Sequence, residues 1–179
     1  MSTGTRKEIS LSKTEPLQFK AGAKELLAAL LPLGGVAPAR SPRPILSHIR
    51  LASSRKGLEL SATDLDMWVT AKVGVSGGEG ALAVPAEAFL QIVREAGEME
   101  IKVSCRESGG ALFEVGKDRY EVACLPAEEF PACSEKVDGP AWGLPGGVLP
   151  RLLKRTAFAA ARERTRYTLN GVYWSCDGG

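Results

Sequence analysis

Histidine is almost missing from this chain: there is one, His48, in 179 residues. A nucleophilic triad would have to use it as base, yet His48 follows Pro44-Ile45-Leu46-Ser47 at the start of a strand pattern, where a structural role is sufficient. The four cysteines, Cys105, Cys124, Cys133 and Cys176, form no CxxC pair. Zinc therefore finds no ligand spacing, and reduced, mostly buried thiols are expected. There is no GxxxxGK[ST] loop, and Gly34-Gly35 and Gly77-Gly78 read as turns rather than phosphate cradles. No apolar run approaches the ~20 residues of a membrane span, and the N-terminus lacks the apolar centre of a signal peptide. These absences point to a cytoplasmic protein with no membrane partner and no cofactor. Residues 1–16 are polar and aperiodic and are expected to form a disordered tail.

Carboxylates are also missing, but only locally. The net charge is +2, so the total says little and the distribution says more. None lies between Glu25 and Glu59, a stretch that holds Arg40, Arg43, Arg50, Arg55 and Lys56. Between Asp138 and Asp177 the only acid is Glu163, set among Arg151, Lys154, Arg155, Arg162, Arg164 and Arg166. Most acids fall between Glu87 and Asp138. Segregated surfaces of this kind suit a polyanion met along one face.

What is present is a repeat. Ala21-Gly22-Ala23-Lys24-Glu25-Leu26-Leu27, Val84-Pro85-Ala86-Glu87-Ala88-Phe89-Leu90 and Leu144-Pro145-Gly146-Gly147-Val148-Leu149-Pro150 each close a strand and open a helix. They recur at roughly sixty-residue intervals, the mark of a repeated supersecondary unit. An edge strand is expected over 17–20, then a helix from Ala23 that Pro32 and Gly34-Gly35 end. Residues 36–43 carry two prolines and two arginines and read as an exposed loop. Period two follows from Ile45 to Val75, with a turn at Arg55-Lys56-Gly57 and a third strand over 67–75. A glycine turn at 77–80 leads to a strand over 81–84 and a helix over 85–96, with Pro85 in a first-turn position. Strands are expected over 99–105, 111–115 and 119–125, with turns at 108–110 and 116–118. Residues 126–140 read as a linker with short anchors. The unit restarts at 141–144, with a helix over 147–161 and a strand over 167–176. The class is α+β: repeated β-α-β-β-β units, antiparallel sheets, and one helix per unit on one face.

Two groups of residues are candidates for chemistry. Asp64 and Asp66 in Ala62-Thr63-Asp64-Leu65-Asp66-Met67 would share a face as alternate strand residues, as a metal-dependent nuclease or nucleotidyl-transfer enzyme requires. In the plainer reading Asp64 ends a strand by accepting backbone amides and Asp66 is solvated. The second group is basic. Arg40-Ser41-Pro42-Arg43 follows the first helix, and Arg162-Glu163-Arg164-Thr165-Arg166-Tyr167 follows the third. Equivalent loops of a repeat project alike, so the two suit successive, sequence-independent contacts with a nucleic-acid backbone.

Several stretches, in this order, resemble the bacterial sliding clamp, the beta subunit of DNA polymerase III. They are Pro44-Ile45-Leu46 after a basic loop, Ala62-Thr63-Asp64-Leu65-Asp66-Met67, Val84-Pro85-Ala86, Leu125-Pro126-Ala127-Glu128-Glu129-Phe130-Pro131 and Arg166-Tyr167-Thr168-Leu169-Asn170-Gly171. The resemblance runs from about Leu17 to the C-terminus. It implies a DNA-clamp fold, with sheets outside and helices lining the inner face of a homodimeric ring around duplex DNA. It also implies a processivity role beside the replicative polymerase and the clamp loader, with no catalytic residues. Residues 17–140 would form the first clamp domain and 141–179 the incomplete start of the second. Arg40 matches the family's DNA-contacting loop, with Arg43 beside it. Arg166 and Tyr167 match a DNA-proximal segment, with Arg162 and Arg164 leading into it. The strand holding Arg119, Tyr120 and Val122, with Lys117 beside it, matches the edge that meets the other subunit. A different reading keeps the fold but makes the chain a regulatory fragment that binds a clamp edge.

Overall fold

Apolar residues recurring at helical spacing build the first helix, α1 (Ala23–Gly34), and bury Ala23, Leu26, Leu30 and Leu33 on one side. The computed structural model describes residues 17–106, 109–133, 143–161 and 169–175. The chain divides into two compact units, Met1–Ser134 and Glu135–Gly179.

In the first unit the order is β1 (Gln18–Gly22), α1, β2 (His48–Ser54), β3 (Gly57–Thr63), β4 (Trp68–Val73), β5 (Ser76–Gly77), β6 (Gly80–Pro85), α2 (Ala86–Ala96), β7 (Glu100–Cys105), β8 (Gly110–Val115) and β9 (Asp118–Ala123). Aside from the two-residue β5, this is the β-α-β-β-β unit twice. The two units exchange their first strands. β1 pairs with β7 of the second unit in a sheet ordered β5-β1-β7-β8-β9, and β6 pairs with β2 of the first in a sheet ordered β4-β3-β2-β6. All pairs are antiparallel. Neither repeat has a complete sheet without the other.

The strands alternate as half-buried strands must. In β8, Ala111, Phe113 and Val115 point inward, and in β2 Ile49 and Leu51 do. With the apolar sides of α1 and α2 they form one core in which Phe19, Phe89 and Phe113 are fully buried. Each contributes roughly 1.5–3 kcal/mol by leaving water. The Phe89 and Phe113 rings lie 5.5 Å apart, tilted by 46°. The first amide of α1 is also satisfied across the repeats, because Ala23 N donates to Met99 O at 3.0 Å.

Several expectations need correction. The first strand is not an edge, since β5 covers its outer side. That approach demands Gly77, where a Cβ would run into the Gln18 carbonyl and the Phe19 backbone. Pro32 does not end α1 but lies inside it. The carbonyl that its missing N–H deprives of the helical bond belongs to Ala28, which is exposed. Period two does not start at Ile45: Pro44–Ser47 is a 3-10 turn, and Ile45 and Leu46 are consecutively buried against Ala83 and Phe130. The strand expected over 67–75 is shorter, and the one over 119–125 stops at Ala123. Past it, Leu125 and Ala83 exchange backbone bonds of 2.9 and 3.0 Å, which fasten the following segment across β6. Ala127 and Phe130 are its buried anchors.

In the second unit, α3 (Val148–Thr156) is shorter than the expected 147–161 and passes into a 3-10 turn over Ala157–Ala159. Residues 143–144 and 169–175 hold no strand. Ala161 N does donate to Leu169 O at 2.8 Å, but a strand needs a ladder of such bonds rather than one. The expectation of mostly buried thiols holds only in part among the described residues, and Cys176 lies outside them. Cys105 and Cys124 are half-buried at the margin of the core, and Cys133 is exposed.

Candidate nucleic-acid interface

The carboxylate-free loop leaves α1 at Gly35 and is held at both ends. At its root, Val36 N and Ala37 N both donate to Leu33 O at 3.0 Å, and both side chains pack on the core. At its far end, Arg43 N donates to Ser41 Oγ at 3.1 Å, and Leu46 N to Arg43 O at 3.1 Å. The burial of Ile45 and Leu46 then fixes the exit. His48 completes the anchor: its Nδ1 lies 2.8 Å from Pro44 O, which accepts, and this structural bond occupies the ring nitrogen facing the loop. Between two fixed ends the tip presents Arg40 and Arg43 to solvent.

Electrostatic pairing separates these arginines from the cations of the sheets. Lys20, Arg50, Arg55, Lys72, Lys102, Arg106 and Arg119 each stand within 4.0 Å of a carboxylate. Among the described residues of the first unit, Arg40 and Arg43 have no such partner, nor do Lys56 and Lys117 in the hairpin turns or Lys24 and Arg94 on the helices. An unpaired guanidinium on a tethered loop is free to meet a phosphate, whereas a paired one must first give up its carboxylate. The exposed sides of the helices add no positive excess, because Lys24 and Arg94 are outnumbered by Glu25, Glu87 and Glu95. A cleft of about 340 Å³ between the loop root and the first turn of α2 is walled in part by Glu87, whose charge opposes an anion there. In the first unit the loop tip thus presents two exposed arginines with no carboxylate beside them.

In the second unit, Arg151, Lys154 and Arg155 sit at positions i, i+3 and i+4 of α3, all exposed, with no acid in its first turn. The sequence alone shows these charges without assigning them to the interface. Their helical spacing was the signal available. Arg162, Arg164, Arg166 and Tyr167 lie outside the described residues.

The acidic pair takes the plainer form. Residues 64–67 are a turn, with Leu65 at φ 83°, so Asp64 and Asp66 do not share a strand face. Asp64 Oδ1 accepts from Asp66 N at 3.0 Å and from Met67 N at 2.8 Å. Thr63 Oγ1 accepts from Leu65 N at 2.9 Å and donates to Met67 O at 2.7 Å. The carboxylate is committed to the backbone. Among the described residues no group of three or more His, Cys, Asp or Glu side chains is placed to hold a metal ion.

Lys117, Arg119, Tyr120 and Val122 lie at the β8–β9 hairpin. Lys117 is in the two-residue turn, Arg119 points outward and pairs with Glu114 at 3.3 Å, and Tyr120 and Val122 are half-buried against the core. Tyr120 Oη donates to Glu95 Oε2 at 3.4 Å. Partial burial, then the carboxylates of Glu95 and Asp118, push its phenol above the usual range. Among the described residues the strand is an edge of its sheet. No helix among the described residues is long and apolar enough to cross a membrane.

Two repeats with exchanged first strands, paired helices and antiparallel sheets define an α+β domain of the DNA-clamp class. The chain belongs to the family of the DNA polymerase III beta subunit, N-terminal domain, whose model matches residues 17–134. Its relatives include the beta sliding clamp of Haemophilus influenzae, 31% identical over 165 residues that cover 90% of this chain. A sliding clamp of Pseudomonas aeruginosa, solved bound to griselimycin, superposes with a TM-score of 0.83 at 29% identity, over 88% of this chain and 43% of that one. The sliding clamp of Bacillus subtilis shares the fold at a TM-score of 0.80 with 20% identity, over 86% of this chain and 43% of that one. The chain spans 45% of the length of the Haemophilus relative.

Proposed function

We propose that this chain is part of a DNA sliding clamp, the processivity factor of a replicative DNA polymerase. In this reading residues 17–140 are the first clamp domain and 141–179 open a second. The complete protein is a homodimeric ring in the cytoplasm that encircles duplex DNA and is handled by a clamp loader. The role is non-catalytic and uses no cofactor. Arg40 and Arg43, with Arg162, Arg164, Arg166 and Tyr167, contact phosphates irrespective of sequence. Lys117, Arg119, Tyr120 and Val122 form the subunit edge.

The observation that carries this reading is the contrast in pairing. Every sheet cation named above has a carboxylate beside it, while the arginines of the carboxylate-free loop have none among the described residues. A ring that holds DNA by topology must still let it slide, so its contacts should be electrostatic and individually weak. Two tethered arginines fit that need.

The test is duplex binding by the chain across a salt series, with Arg40→Ala/Arg43→Ala against Arg55→Ala as control. The double variant should flatten the plot of log affinity against log salt by about 2, near 0.9 for each phosphate that is no longer neutralised. Loss should be equal on unrelated sequences. Loss confined to some sequences, or an unchanged slope, would refute the assignment.

A further inference from the structure

One acid stands beside the basic loop. The cleft of about 340 Å³ has Ala37, Pro38 and Ala39 on its loop side and Pro85, Ala86 and Leu90 on the side of α2, and no lysine or arginine in its walls offsets Glu87. Ala39 leads directly into Arg40. A space of that size is comparable in width with the ~8 Å over which charges are screened at physiological ionic strength, so the field of Glu87 reaches the approach to the loop tip.

Glu87 also differs from the other acids of the two helices. Glu25 folds back on the start of α1, where its carboxylate occupies the space that a Cβ on Gly22 would need. Glu95 accepts from Gln91 Nε2 at 3.1 Å and from Tyr120 Oη at 3.4 Å. Glu87 is exposed and, among the described residues, has neither a hydrogen bond nor an ion pair. Its place in the first turn of α2 complements the helix dipole, but the same charge also faces whatever the loop meets.

We propose that Glu87 is an affinity-limiting residue of the loop: its carboxylate repels a duplex backbone on the α2 side of the tip and keeps the contact weak. The inference rests on the reading of Arg40 and Arg43 as phosphate contacts. A ring that retains DNA by topology gains nothing from a tight contact, since a phosphate held firmly must be released at every step of sliding. Two guanidinium groups with no carboxylate at salt-bridge distance attract phosphate strongly. A carboxylate set further off lowers that attraction without closing either arginine into a pair. Repulsion placed at the side also favours approach over the tip.

The test is duplex binding by the full chain over a salt series, with E87Q, E87D and E98Q compared. E87Q should tighten binding about threefold or more at low salt, and the gain should shrink as salt rises. E87D keeps the charge and should bind like the parent. E98Q removes an equal charge about 16 Å further along the axis of α2 and should gain clearly less, which separates position from net charge. In a chain that also carries Arg40→Ala and Arg43→Ala, E87Q should lose most of its advantage, because no phosphate is then held beside it. Urea melts of E87Q report the separate contribution of Glu87 to the helix start, and binding is measured where every variant is fully folded. Binding by E87Q equal to the parent, a gain matched by E98Q, or a gain undiminished without the two arginines would each overturn the proposal. The loop assignment is read separately, from whether Arg40→Ala/Arg43→Ala weakens binding by itself. A parent-like E87Q beside a weakened double variant refutes the role of Glu87 alone.

Discussion

The two repeats of the first unit agree in their cores and differ in their connections. Ala23, Leu26, Leu30 and Leu33 of α1 correspond in spacing to Ala86, Phe89, Val93 and Ala96 of α2, and all are buried. After the helix, however, the first repeat takes residues 35–47 to reach β2, and the second takes residues 97–99 to reach β7. Between the last two strands the first repeat inserts 64–67, and the second turns on Gly116 and Lys117. The framework needs only the short versions, as the second repeat demonstrates. The extra length in the first carries the unpaired arginines and the turn built by Asp64. Chain is added where the shared packing is indifferent to its length.

The strongest way to break that comparison is to attack the equivalent core positions. Phe89→Ala should cost about 3–5 kcal/mol and Leu26→Ala about 2–5 kcal/mol, by lost burial plus an unfilled cavity. Because each repeat's first strand belongs to the other's sheet, both variants should still unfold in one transition, followed by urea denaturation with circular dichroism and fluorescence together. Two separate transitions would mean that the repeats are independent, contrary to the exchange.

That exchange was the least legible part of the fold in the sequence. The helix over 85–96 was readable to within one residue, because an apolar period of helical length ends at Gly97, which adopts φ 61°. Pairing of β1 with β7 leaves no local trace. It is decided when two repeats close on a common core, and no pattern within β1 names its partner. The buried neighbours Ile45 and Leu46 misled for a related reason, since each faces a cluster formed by distant Ala83 and Phe130. The basic loop was readable from missing carboxylates alone. That its arginines are unpaired while those of the sheets are not was unreadable, since pairs such as Lys102 and Glu114 arise from strand register.

A second difference concerns titration. Cys124 follows β9, while its counterpart after β4 is Gly74. Burial pushes the Cys124 thiol from 9.0 up to about 11, partly opposed by a backbone hydrogen bond from Ala111 and reinforced by Cys105 nearby. Between about pH 9 and 11 the unfolded thiol has lost its proton and the folded one keeps it, so rising pH favours unfolding. Solvent at its exposed side reduces the effect, to about 1–2 kcal/mol. Urea melts at pH 8 and pH 11 should therefore fall further apart for the parent than for Cys124→Ala. Equal shifts would assign the pH dependence to other groups.

The smallest effect tests the turn at 64–67. Asp64→Ala removes the acceptor for Asp66 N and Met67 N and leaves Leu65 at its positive φ without that support, at a cost of about 1 kcal/mol. Asp64→Asn keeps an oxygen in the same place and should recover most of the loss. Duplex affinity should be unchanged in both, because the carboxylate serves the backbone and lies outside the basic loop. If Asp64 were instead a metal ligand, Asn and Ala would be equally damaging, and the stability of the parent chain would depend on added Mg²⁺. Ranking the two variants by urea midpoint, with and without Mg²⁺, therefore decides whether the longer turn of the first repeat is a backbone device or a site.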